Sequence, residues 1–127
     1  MTILGIGTDI VENNRIKNAI KNNSFIKRIF SKDEISFSKK FKNKTNFFSK
    51  RFAAKEAFVK AIGTGFRNSI NFKDISILNN KLGKPKLYIT VKVKKLLKKM
   101  FKSKNIDIFL SLSDEKKYSI AFVIIKK

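Results

Sequence analysis

RFAAKEAFVKAIGTGF, residues 51–66, decides how this chain is read. Carried back to Thr45, the stretch places its apolar side chains at helical intervals. Phe47, Phe48, Phe52, Phe58, Val59 and Ile62 cover a broad arc at 100° per residue, with Ala53, Ala57 and Ala61 as a small-residue ridge beside it. Gly63-Thr64-Gly65 then stops the helix, because glycine best tolerates the left-handed cap conformation. A helix apolar over so much of its circumference is predicted to be central and largely buried. One carboxylate, Glu56, sits at the edge of the arc, between Phe52 and Lys60 on the wheel.

The segments around this helix read as an α+β pattern. ILGIGTDIV, residues 3–11, is a short apolar run with the length and branching of a buried strand, and alternation puts Gly5, Gly7 and Asp9 on one face. Two glycines on a strand face leave room for another backbone or a ligand to approach. Asp9 then either ends a tight packing point, caps a helix, or serves a site. Residues 13–23 are expected to form a short polar helix. SKDE at Ser31–Glu34 is a capping box, which makes Asp33 and Glu34 helix-start residues. Strands are expected near 74–78 and 86–91 around the NNKLGKP turn. A Lys-rich helix over about 92–102 follows, with Val93, Leu96, Leu97, Met100 and Phe101 as its apolar stripe. The end folds as a hairpin, Ile106–Ser113 with Tyr118–Ile125. The predicted fold is a single small domain over residues 1–127, a long buried central helix packed on an antiparallel sheet.

Composition removes several chemistries. With no cysteine and no histidine, disulfides, thiolate ligands, most zinc sites and imidazole bases are excluded, and Ser111 and Ser113 cannot belong to a serine–histidine triad. The N-terminus lacks a basic leader and meets an acid at Asp9, so it reads as neither signal peptide nor membrane anchor, and the cytoplasm is the expected address. Thirty basic against nine acidic residues give +21, which favours anionic partners. A basic RNA-binding or ribosome-associated protein is therefore the rival reading. Against it, the 26 lysines are scattered, only four arginines occur and no RNA-recognition motif is visible. Lysine excess alongside abundant Ile, Asn and Phe also fits A+T-rich coding.

Glu56 and Lys60 stand four apart in the order that best supports an ion pair, and from the helix alone that structural role comes first. A chemical role needs a second acid, and Asp9 is the candidate. Mg²⁺ is typically held by one or two carboxylates plus water and phosphate oxygens. With a lysine alongside, such a site suits phosphate or pyrophosphate chemistry. GIGTD is not a dinucleotide fingerprint, and no phosphate-loop motif occurs.

GIGTDIVENNRI at 5–16, RFAAKEAFVKAIGTGF at 51–66, LGKP at 82–85 and SLSDEKKYSIAFVII at 111–125 together resemble the holo-acyl-carrier-protein synthases, the small bacterial type of 4′-phosphopantetheinyl transferase. The blocks span nearly the whole chain in the family's order. The resemblance implies that Asp9 and Glu56 bind Mg²⁺ against the coenzyme A pyrophosphate, with Lys60 near the phosphates and Glu56 as candidate base. It implies coenzyme contacts from Arg51, Lys60, Gly63, Lys84 and Pro85, and docking of an acidic apo acyl carrier protein on Arg15, Lys17 and Lys21. A serine of that carrier would accept the arm, adenosine 3′,5′-bisphosphate would leave, and a homotrimer would bind coenzyme A between subunits, with no nucleic acid or membrane partner. One departure is Asp114, where many family members have histidine.

Overall fold

The computed structural model describes residues 1–67 and 69–127. Its elements run β1 (Ile3–Glu12), α1 (Asn13–Ala19), α2 (Asn23–Ile29), α3 (Lys32–Ser38), α4 (Lys44–Ile62), a 3-10 turn (Phe72–Asp74), β2 (Ile75–Asn79), β3 (Pro85–Ile89), α5 (Val91–Phe101), β4 (Asp107–Asp114) and β5 (Tyr118–Lys126). This is the α+β arrangement expected, with the strands divided between two antiparallel sheets, β1-β5-β4 and β2-β3.

The long helix is central, as its pattern requires. Twelve of the nineteen residues of α4 are buried, too many for one face of a surface helix. Asn43 caps its start by accepting from the Asn46 N–H at 3.0 Å, and Gly63 ends it at φ +83° with its N–H on the Val59 and Lys60 carbonyls, both at 3.1 Å. Its N-terminal phenylalanines knit the helices together. Phe48 packs on Phe30 at 4.5 Å and on Phe47 at 5.1 Å between ring centroids.

β5 is the middle strand of the larger sheet, so its inward residues should be the most deeply covered. Alternation along it puts Ser119, Ala121, Val123 and Ile125 under α4, each wholly out of solvent, while Ile120 and Phe122 face outward and remain about two-fifths exposed. The outer face of the sheet is also apolar on β1 (Ile6, Ile10) and β4 (Phe109).

One expected element divides differently. The helix predicted over 13–23 ends at Ala19, and a second helix starts at Asn23. Asn22 causes the break, because its side chain accepts from the Ser24 N–H at 2.9 Å and from the Ser24 hydroxyl at 2.7 Å, the local bonding that makes asparagine a cap rather than a helix-interior residue. β3 likewise ends at Ile89, one residue before Thr90 opens α5.

Candidate active site

The site begins where β1 touches α4. A Cβ on Gly5 would overlap the Ala61 carbonyl, and one on Gly7 the Ala57 carbonyl, so strand and helix meet backbone to backbone. Any side chain at either glycine would force the two apart. Two strand residues advance about 6.8 Å and four helix residues about 6 Å, so the glycine pair and the alanine pair stay in step. The next residue on that strand face is Asp9, which falls against the turn of α4 that carries Glu56.

The two carboxylates and Lys60 are thereby brought together. Lys60 Nζ donates to Asp9 Oδ1 at 3.0 Å and to the Thr8 carbonyl at 3.1 Å. The ion pair expected between Glu56 and Lys60 therefore gives way to one across the strand. The Asp9 carboxylate is only 16 % exposed and offers the ammonium a less screened partner with a carbonyl beside it. Glu56, at the edge of the apolar arc, is half-buried rather than fully enclosed. Burial, then the neighbouring charge of Asp9, pushes its carboxyl above the ordinary value, while Lys60 and Arg15 pull the other way. Arg15, exposed on α1, is thus close enough to act on the same carboxylate. Lys17 is exposed one residue pair further along α1 and lines a cavity of about 610 Å³ with Glu12 and Lys117. Lys21 lies in the turn after α1.

Among the described residues no three or more His, Cys, Asp or Glu side chains converge. Asp9 and Glu56 are a pair in which the charge of Asp9 adds to burial in raising the Glu56 carboxyl, and they fit a hard cation that keeps water and phosphate oxygens in the rest of its shell.

The residues expected to contact the coenzyme separate into two places. Gly63 follows Lys60 by three residues, with its N–H taken up by the helix cap. Arg51 and Pro85 line a second cavity of about 270 Å³, together with Gly83, Asn79 and Asp114, and none of Asp9, Glu56, Lys60 or Gly63 lines it. Lys84 stands in the adjoining turn, its backbone N–H on Asn80 Oδ1 at 3.0 Å. Asp114 is held at this cavity by Asn46 Nδ2 at 2.7 Å and by Lys50 at 3.6 Å.

Arg51 is only 2 % exposed. Its guanidinium stacks on Phe47 at 3.6 Å and donates to the Ile77 carbonyl at 3.0 Å, the Phe47 carbonyl at 3.3 Å and Asn79 Oδ1 at 3.1 Å. Burial pulls its pKa down to about 10, partly offset by Glu34.

A buried ion pair stands behind the site that the capping-box reading did not anticipate. Glu34 does form the box, exchanging bonds with Ser31, but its side chain is fully buried and takes Lys55 Nζ at 2.6 Å. Lys55 also donates to the carbonyls of Ile29, Phe72 and Ile75, and Glu34 Oε2 accepts from the Ile77 N–H. Burial lowers the Lys55 pKa, and Glu34 opposes that. β3 covers one edge of β2. On the other edge Glu34, Lys55 and Arg51 satisfy the Ile75 and Ile77 backbone groups that a further strand would otherwise pair. The available signal was positional: Lys55 is three residues before Phe58 and four before Val59, on the buried side of the helix.

The chain is similar to known proteins along nearly its whole length. The family model described as the 4′-phosphopantetheinyl transferase superfamily matches residues 5–123. The holo-(acyl-carrier-protein) synthase of Pelagibacter ubique (strain HTCC1062) is 62 % identical over 127 residues, covering 100 % of this chain and 99 % of that protein. Among solved structures, the holo-(acyl-carrier-protein) synthase of Neisseria meningitidis superposes with a TM-score of 0.89 at 39 % identity, covering 99 % of this chain and 100 % of that one. The Bacillus anthracis str. Ames enzyme, in complex with CoA (3′,5′-ADP), gives 0.80 at 35 % identity, covering 98 % and 97 %. Matched along its length and carrying a glycine-seated carboxylate pair, this chain belongs to the 4′-phosphopantetheinyl transferase superfamily.

Proposed function

We propose that this chain, acting as one domain over residues 1–127 in the cytoplasm, transfers the 4′-phosphopantetheine arm of coenzyme A to a serine of an apo acyl carrier protein of fatty acid synthesis. The observation that carries this reading is the convergence of Asp9, Glu56 and Lys60 at the β1–α4 seam. The relatives' names and the coenzyme bound to the Bacillus anthracis enzyme support it.

Asp9 and Glu56 would hold Mg²⁺, which when bound supplies neutralisation of charge on the pyrophosphate. Lys60, already at the Asp9 carboxylate, offsets charge on the same phosphates. The serine hydroxyl forms a bond to the phosphorus bearing pantetheine while the P–O bond to the other phosphate breaks, and adenosine 3′,5′-bisphosphate leaves with that electron pair. Glu56 takes the serine proton. A carboxyl whose pKa is raised by burial is a stronger base than an exposed one. Arg15, next to Glu56, with Lys17 and Lys21 receives the acidic carrier.

The cavity at Arg51, Pro85 and Asp114 is separate from this set, which suits a coenzyme bridging two subunits. The apolar outer face of β1-β5-β4, with Ile6, Ile10, Phe109, Ile120 and Phe122 all at least 40 % exposed, is the surface through which a homotrimer would form. The test is to mix the protein with apo acyl carrier protein, coenzyme A and Mg²⁺ and to measure the carrier by mass spectrometry. The phosphopantetheinyl adduct is expected, and its absence at any enzyme concentration overturns the assignment.

A further inference from the structure

One groove is lined by none of Asp9, Glu56, Lys60 or Arg51. It is a cavity of about 650 Å³ between β3, α5 and the start of β4. That volume falls in the range of small-molecule sites rather than flat protein-binding surfaces. Its floor is hydrocarbon: Leu87 and Ile89 from β3, Leu97 from α5, and Ile106 and Ile108 at β4. Lys86, Lys94, Lys98 and Lys104 stand around it, and none of these four ammonium groups enters an ion pair among the described residues. The single acid at the rim, Asp107, is already paired with Lys126 at 3.3 Å. The groove therefore joins an apolar floor to an uncompensated positive rim.

Its two lips are sheet edges, since β3 pairs only with β2 and β4 only with β5. They come within 8 Å of each other, Cα to Cα. A strand added between them would need two spacings of about 4.8 Å. Backbone pairing with a peptide is thus ruled out by width, and an occupant must use the floor and the ammonium groups.

We propose that this groove binds a single-chain anionic amphiphile, of which a long-chain carboxylate is the simplest member. The hydrocarbon tail lies on the Leu87–Leu97–Ile108 floor and the headgroup meets the lysine rim. Both halves are required: the tail supplies burial of apolar surface, and the charge selects the anion.

The probe is dodecanoate below its micelle concentration, titrated into the intact protein by calorimetry, with dodecyl phosphate as a second headgroup. Dodecyltrimethylammonium and acetate serve as tail-only and charge-only controls. Both anions with a tail are expected to bind and both controls to bind at least tenfold more weakly. Lys94→Glu/Lys98→Glu should weaken dodecanoate at least tenfold. Lys95→Glu/Lys99→Glu, the same charge change on α5 outside the groove, should alter it less than twofold. Methyl NMR shifts should centre on Leu87, Ile89 and Ile108. Equal losses in the two double variants, equal binding of the cationic amphiphile, or shifts confined to Ile6, Ile10 and Ile120 on the outer sheet face would each overturn the proposal.

Discussion

Lys55→Met is the substitution that most directly tests how α4 is held. Methionine keeps most of the stem's apolar volume, so the cavity left behind is small. What disappears is an ammonium with no solvent exposure, bonded to Glu34 Oε1 at 2.6 Å and to the Ile29, Phe72 and Ile75 carbonyls at 2.9, 3.0 and 2.7 Å. Glu34 is left buried, with only the Ser31 and Ile77 N–H groups as donors. Breaking a buried pair from one side costs about 3–5 kcal/mol. The carbonyls that lose a donor do not reduce that figure, so a loss of about 4 kcal/mol is expected, against the total of about 5–15 kcal/mol usual for a domain. Urea unfolding followed by circular dichroism measures it as a lower midpoint at unchanged slope. The half-exposed pair of Lys92 with Asp74, at 2.8 Å, is the comparator, and Lys92→Met should cost no more than about 1 kcal/mol. If Lys55→Met cost as little as Lys92→Met, the account of α4 as fastened by its buried cation would be refuted.

Gly7→Ala forces a methyl into the Ala57 carbonyl and should destabilise by about 1–3 kcal/mol or more, read as a lower melting temperature; an unchanged melt would mean the seam is not close-packed. Because the folded pKa of Glu56 is raised, its contribution to stability is fully present below the unfolded value and is lost as the pH rises through the folded one. Glu56→Gln should therefore melt higher than the parent at about pH 8 and match it below about pH 4, and a gain that grows on acidification contradicts the sign. Asp9→Asn and Glu56→Gln should each abolish most arm transfer at saturating Mg²⁺ while Lys60→Ala loses less; near-normal rates in both carboxylate variants would remove the metal assignment. Raising salt should slow association with the carrier protein more than it weakens coenzyme A binding, and equal sensitivity of the two speaks against steering by Arg15, Lys17 and Lys21.

The parts of this molecule that are legible in the sequence are those set by local periodicity. The α4 pattern, its Gly63 stop, the glycine face of β1 and the final hairpin depend on neighbours within one or two turns, and each appears where expected. The helix expected over 13–23 stops at Ala19 instead, because a polar stretch carries little periodicity and the Asn22–Ser24 cap decides the break. Helical position marks Lys55 as facing inward, but the partners of Glu34, Lys55 and Arg51 do not follow from it. They answer to the uncovered edge of β2, a need that exists only after β2 and β3 have paired and left that edge inward.

The site shows the same division. Asp9 and Glu56 could be joined by reasoning because a core strand packs on a central helix, and their shared pattern is specific. Lys60's preference for Asp9 over Glu56 was not legible, since the spacing rule weighs only partners on the same helix and knows nothing of the Thr8 carbonyl waiting across the seam. Arg51 shares the 51–66 block with Glu56 and Lys60, and Pro85 lies in the separate 82–85 block, yet Arg51 and Pro85 meet at a cavity that neither carboxylate lines, because the partners of Arg51 lie on β2, which pairs with β3.

The glycine seam also leaves the site without slack. An added Cβ would stand 1.9 Å from the Ala61 carbonyl oxygen at Gly5 and 1.8 Å from that of Ala57 at Gly7, so the contact is as tight at its second point as at its first. A seam of bare backbone has no rotamers to relax into, and α4 cannot slide along β1 without driving carbonyl oxygens into Cα atoms. Asp9, two residues beyond Gly7 on the same face, is therefore delivered to Lys60 by a joint that fixes its distance from the helix rather than by the packing of adjustable side chains.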